Sequence, residues 1–190
     1  MNAKQLLAAG VATVACAIYA AGALAGDDDR QNQSTGLVRT VRLATQDFRS
    51  VSVARGAGYQ SMGSCVSGPQ EGAMGIHFAN STLVGDGVLD ADRPELLIYE
   101  QRGGRVRLLG VEYLVLADAW HAHTAGPPVL MGQHFQYVGS PNRYGLPAFY
   151  ELHVWAWRDN PNGMFVDWNP AASCEEYVPD TAASGAHGHH

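Results

Sequence analysis

The chain has 190 residues, a formal net charge of −6 and three cysteines. Its only lysine is Lys4, so everything beyond it carries eleven Arg against eighteen Asp plus Glu. That balance argues against nucleic-acid and anionic-membrane partners, which call for a basic face, and it leaves no lysine for Schiff-base or lysine-base chemistry once the first residues are removed.

Lys4 precedes an almost uncharged apolar run from Leu6 to Leu24. Ala23-Leu24-Ala25 then fits a small-x-small cleavage pattern, followed by the acidic Gly26-Asp27-Asp28-Asp29. This layout predicts a signal peptide over residues 1–25, removed on export to the periplasm or the medium. A transmembrane anchor is the alternative, because the run is nearly long enough to span a bilayer. Cys16 lies inside the run behind Thr13-Val14-Ala15, a poor lipoprotein signal. Removal leaves 165 residues, one domain's worth and enough for a sizeable core. Cys65 and Cys174 are then the only cysteines left, and an isolated pair in an exported protein predicts a structural disulfide. Closing so long a loop contributes about 4–5 kcal/mol in the chain-entropy description. A cysteine metal or redox site would be expected to show CxxC spacing, which is absent.

Residues 26–36 (GDDDRQNQSTG) are polar and acidic and predict a disordered linker. Residues 37–178 form the expected single globular domain, and residues 179–190 a disordered His-containing tail. Within the domain, Val38, Val41, Ala44, Phe48, Val51 and Ala54 recur at three- and four-residue steps. They predict one amphipathic helix from Leu37 to Tyr59, ending near Gly56 and Gly58, with Arg39, Arg42, Arg49 and Arg55 off the apolar stripe. SMGSCVSGPQEG reads as a loop. Strands are expected at Ala73–Ala79, Glu95–Glu100, Arg105–Leu116, Leu130–Val138 and Ala148–Trp157, with a hairpin turn at Gln101-Arg102-Gly103-Gly104. One helix followed by five strands gives an α+β fold: an N-terminal amphipathic helix packed on a curved, mainly antiparallel sheet or small β-barrel.

Two strands carry nearly the same pentapeptide, MGIHF at 74–78 and MGQHF at 131–135. Each is followed by a Gly-containing loop, a proline (Pro94, Pro147) and an apolar strand with Tyr-Glu (Tyr99-Glu100, Tyr150-Glu151). A decayed duplication and convergence on one hairpin geometry both fit this pattern.

Strand parity sorts the polar residues, because alternate side chains point to opposite faces. In RVRLLGVEYLVL, Glu112 shares a parity with Val106, Leu108, Leu114 and Leu116, unless a bulge at Gly110 resets the register. A carboxylate on that face must be paired, coordinated or protonated. In AFYELHVWAW, Phe149, Glu151, His153, Trp155 and Trp157 alternate with an aliphatic core face. A carboxylate and an imidazole among large aromatics are the lining of a ligand cavity or, equally, cross-strand pairs on a surface. Imidazoles from several strands with one carboxylate make the usual ligand set for one divalent transition metal: Zn, Cu, Fe or Mn. The expected ligands are His77, Glu112 and His153, with His134 as a fourth ligand or a partner behind them. Two His and one carboxylate leave positions open for water, dioxygen or substrate.

The rival reading is a metal-free module binding a small molecule, with Tyr113, Phe149, Trp155 and Trp157 around Glu151 as its pocket. A structural envelope protein with incidental histidines is a third. His121-Ala122-His123 reads as a solvated loop, and the tail histidines His187, His189 and His190 bind metal weakly in any context. GxSxG, P-loop, GxGxxG and CxxCH motifs are absent. Glu112 and Glu151 as an acid and base pair for glycoside chemistry is a weaker alternative. Asn142-Arg143-Tyr144-Gly145 and Asn160-Pro161-Asn162-Gly163 read as turns.

The segments ATQDFRSVSVARGAGY, GAMGIHFAN, PELLIYE, GVEYLVLADAW and NRYGLPAFYELHVWAWRDNPNGMFVDWNP together resemble an uncharacterised family of secreted bacterial proteins. The likeness spans about Arg39 to Cys174 and implies export and a shared domain, with no activity attached. His77, Glu112 and His153 fall in its most recognisable stretches.

Overall fold

The computed structural model describes residues 35–179. Residues 1–25, expected to be a signal peptide, residues 26–34 of the expected linker and residues 180–190 of the expected tail lie outside the described residues. Linker residues 35 and 36 are already helical.

The expected long helix is broken in two. Residues 35–45 form α1, which buries Leu37, Val38, Val41 and Thr45 on one stripe. A 3₁₀ turn follows at Gln46–Arg49, Ser50 is extended, and α2 spans Val51–Gly56. Two side-chain hydrogen bonds account for the break. The Thr45 hydroxyl bonds back to the Val41 carbonyl at 2.7 Å, a contact that bends helices. The Phe48 carbonyl accepts from the Tyr99 hydroxyl at 2.6 Å instead of from an amide one turn on. The apolar period survives because both pieces still face the sheet.

The sheet is curled and antiparallel, with six strands in the order β1-β2-β3-β4-β8-β7. They are β1 Gln60–Gly68, β2 Gly72–Ala79, β3 Leu96–Arg102, β4 Arg105–Leu116, β7 Gln136–Val138 and β8 Phe149–Val154. Short helices α3 (Ser81–Val84) and α4 (Ala117–His121) lie in the connections, and a two-stranded ribbon pairs β5 Val129–Leu130 with β6 Gln133–His134. The β3–β4 hairpin turns at Gly103 and Gly104, both at positive φ (59° and 68°), as its Gly-Gly pair predicts. β1 was expected as loop. It is a Ser- and Gly-rich edge strand, half exposed, with no apolar alternation to reveal it. The expected strand over 130–138 is split into β5, β6 and β7 by the Met131–Gly132 turn and Phe135.

The two pentapeptides therefore have different structures. In β2, MGIHF is extended; in the ribbon, Met131 (φ 45°) and Gly132 (φ 80°) form a tight turn. Tertiary pairing decides between these outcomes.

One sheet face carries Ile76, Phe78, Leu97, Tyr99, Val111, Tyr113, Leu152 and Val154, packed under Leu37, Val41 and Ala54 of the helices. Each fully buried aliphatic side chain there contributes roughly 1.5–3 kcal/mol. The other face is covered by the segment after β8. Asn169 exchanges two backbone bonds with Ala73, both 3.1 Å, and the Ser173 amide donates to the buried Glu100 at 3.0 Å. The Cys65–Cys174 disulfide, with Cα atoms 5.7 Å apart, fastens this segment to β1. Among the described residues no helix is long and apolar enough to cross a membrane.

Candidate metal centre

The covered face holds the polar cluster. Register shifts at Ile98/Tyr99, where Leu108 faces Tyr99 and Gly110 faces Ile98, leaving Leu109 as the extra residue. This bulge resets the parity at Gly110. Leu108 turns into the main core, while Glu112 and Leu114 share the opposite face. Glu112 faces His153 directly across the β4–β8 ladder. His77 is on β2, two strands from Glu112, with Ile98 of β3 between. Strand spacing alone would separate them by about 9–10 Å. Because the sheet curls, the side-chain tips converge, and His77 Nε2 lies 3.3 Å from Glu112 Oε2. Two glycines permit the tight packing. A Cβ on Gly75 (φ 95°) would stand 2.7 Å from the Tyr99 carbonyl oxygen, and one on Gly110 would overlap the Val154 carbonyl.

His153 is the centre of the cluster. It is 0% exposed, with Nε2 at 3.8 Å from Glu112 Oε2 and Nδ1 at 3.4 Å from Asp167 Oδ1. Nε2 has no hydrogen-bond partner, and Nδ1 has only the long contact with Asp167. The rings of His77 and His153 stand edge to face at 5.9 Å. One ligand atom each from His77, Glu112 and His153 lies within 4.8 Å of the others, and the same holds for Glu151, His153 and Asp167.

Burial dominates the electrostatics. It lowers the His77 pKa to about 3, helped by His153 and opposed by a hydrogen bond to the Gly75 backbone, so this imidazole is neutral. Burial raises Glu112 to about 8; the His153 charge opposes this, while Glu151 and Asp167 add to it. Glu112 and Glu151 are hydrogen-bonded to each other, and Glu151 is raised by burial as well. Burial pushes His153 down, but Glu112, Asp167 and Glu151 together leave it raised. Three acids crowd two imidazoles in a place with little water, an arrangement that a bound cation would relieve.

Asp167 was not anticipated. Its segment hangs from Trp155, whose indole Nε1 donates to the Val166 carbonyl at 2.6 Å and whose ring stacks on His153 at 6.3 Å. Gln136 Nε2 holds Asp167 Oδ1 at 2.7 Å. The only sequence cue was the disulfide that returns this segment to the sheet.

Other expected residues lie elsewhere. His134 is exposed on β6 opposite Val129 and belongs to neither group, because its strand is in the separate ribbon. Tyr113 points into the main core, with its hydroxyl on the Ala91 carbonyl at 2.7 Å. Trp157 lies past the end of β8, so parity no longer applies. It packs on the helical side and donates to Thr45 Oγ1 at 3.0 Å. The expected aromatic pocket of Tyr113, Phe149, Trp155 and Trp157 is therefore not assembled. His121 is the last residue of α4, its ring nitrogens at 3.2 Å from the Thr124 carbonyl and 3.0 Å from the Tyr150 hydroxyl. Glu112 and Glu151 touch, whereas glycoside hydrolysis wants its two carboxyl groups about 5 Å apart or more.

A cavity of about 200 Å³ adjoins the cluster, with His77 and Glu112 in its wall. Leu96, Leu114 and Phe149 make its apolar side, and the 139–147 loop contributes Arg143, Tyr144 and Leu146. No protein-family model, no curated protein and no solved structure matches the chain.

Proposed function

We propose that this is an exported metalloprotein holding one divalent transition metal between His77, Glu112 and His153. The observation that carries the reading is the buried Nε2 of His153, which has no hydrogen-bond partner. Burying such a group without a partner costs about 1–3 kcal/mol for each polar atom, and a metal bond would offset that. The neutral His77 and the carboxylate Glu112, both within 4.8 Å of it, supply the other two ligands. Two imidazoles, one carboxylate and no thiolate suit Zn, Cu(II), Fe(II) or Mn.

In this reading Asp167 orients His153 from its second nitrogen, as carboxylates commonly do behind a ligating histidine. Glu151 neutralises or releases a proton beside Glu112. The ion when bound supplies Lewis acidity or a redox couple, and the adjoining cavity gives it access to small molecules. The signal-peptide pattern and the disulfide support export.

The full-length protein carrying His187→Gln, His189→Gln and His190→Gln, which silences the tail, should take up about one equivalent of zinc or cobalt by mass spectrometry. His153→Ala and His77→Ala should each abolish it. Undiminished uptake in His153→Ala would remove the proposed ligand set.

A further inference from the structure

The cavity beside His77 and Glu112 has one chemical asymmetry. Leu96, Leu114, Leu146 and Phe149 make its apolar part, whereas Ser64, His77, Glu112, Tyr144 and the Arg143 guanidinium make its polar part. Arg143 is exposed, lies 5.8 Å over the Trp168 ring, and pairs with no carboxylate among the described residues.

The loop that presents Arg143 is built, not loose. Asn142 binds it from within: its Nδ2 donates to the carbonyls of Gly139 (3.0 Å) and Leu146 (2.9 Å), and its Oδ1 accepts from the amides of Tyr144 (3.2 Å) and Leu146 (3.3 Å). Tyr144 packs on Phe149 at 6.0 Å and its hydroxyl reaches the Met74 sulfur at 3.8 Å. Little ordering is left for a ligand to induce, which favours affinity.

We infer that this cavity takes a small molecule with an apolar body and one carboxylate, the carboxylate paired by Arg143 and the body seated against Leu96, Leu114, Leu146 and Phe149. An apolar cavity of about 150 Å³ accommodates a benzene ring. The 200 Å³ here therefore suits a single ring or a short chain bearing the acid. A dianion such as a phosphate fits less well. One guanidinium faces it, the apolar part of the wall offers it no hydrogen bond, and Glu112 stands in the wall itself. The inference rests on the metal reading for what the far end of the ligand meets, and on Arg143 and the apolar wall for recognition.

The experiment is calorimetric titration of the full-length, tail-silenced protein with benzoate, its neutral analogue benzamide, and inorganic phosphate, in zinc-treated and EDTA-treated forms. Benzoate should bind at least tenfold more tightly than benzamide, and phosphate should not bind. Arg143→Gln, at an exposed position that leaves the core intact, should remove the benzoate advantage and leave benzamide within about twofold. Leu146→Trp should exclude both rings. Arg143-dependent benzoate binding in a protein that takes up no zinc would sustain this inference and sink the metal reading. Zinc uptake with no benzoate binding would do the reverse. A benzoate advantage confined to the zinc form and indifferent to Arg143→Gln would also overturn it, since the metal alone would then be reading the acid.

Discussion

Removing His153 separates what the imidazole does for packing from what it does for a metal. His153→Ala deletes a fully buried side chain, which by the scale of large-to-small core changes costs about 2–4 kcal/mol. It also deletes a buried nitrogen, Nε2, that lacks a hydrogen bond and costs roughly 1–3 kcal/mol of desolvation. The two effects oppose, so the metal-free variant should stay within about 2 kcal/mol of the parent. With zinc the prediction changes. A ligand bound only by the folded state adds about 2.7 kcal/mol at a hundredfold excess over its dissociation constant. For a domain of this size each kcal/mol moves the melting temperature by about 2–4 °C. The tail-silenced parent should therefore gain roughly 5–10 °C when zinc is added, and His153→Ala should gain nothing. Differential scanning calorimetry with and without EDTA reads both effects. An equal zinc response in the two proteins, or none in the parent, would refute the reasoning.

The same cluster predicts that Asp167→Asn weakens zinc affinity about 10–100-fold while leaving one equivalent bound at saturation, measured by competition with a chromophoric chelator. Loss of stoichiometry instead would make Asp167 a direct ligand. Gly110→Ala forces a Cβ against the Val154 carbonyl and should cost about 1–3 kcal/mol in urea unfolding, with weakened zinc binding because Glu112 and His153 lose their register. A variant of unchanged stability would show that the strands part at no cost. Glu95 supplies the pH test, since it lies outside the cluster and its pKa is raised to about 8, first by burial and then by Asp86 and Asp90, against the pull of the Leu114 amide. A carboxyl whose folded pKa is raised contributes its stability below the unfolded value of 4.5 and loses it as pH climbs through about 8. Glu95→Gln should therefore become more stable relative to the parent across that window, and a difference that does not vary with pH would count against a buried, protonated Glu95.

How much of this could be read in the sequence depends on which physical signal each element uses. The α+β class and the positions of β2, β3, β4 and β8 followed from apolar runs long enough to show their period. β1 did not, because an edge strand that is half exposed needs no alternation, and its pairing partner and the disulfide supply what its composition lacks. The helix break at Thr45 was equally hidden: a threonine in a helical pattern is unremarkable until a buried tyrosine and a tryptophan compete for the neighbouring polar groups. MGQHF shows the limit most sharply, since four of its five residues match a strand and yet it turns.

The site divides along the same line. His77, Glu112 and His153 each sit inside a strand whose period is two, but the bulge before Gly110 overturned the expectation that Glu112 shares a face with Leu108. Where the strand ended, the rule ended with it: three residues past Val154, an extension of parity put Trp157 beside His153, while the chain had already turned it toward Thr45. Asp167 and Arg143 reach the site from segments without regular period, one hung from the Trp155 indole and the other tied by Asn142. Strands thus set His77, Glu112 and His153 at positions inside regular elements, whereas Asp167 and Arg143 come from loops. A search for relatives with the same chemistry should accordingly fix the three strand residues and let the spacing to Asp167 and Arg143 vary.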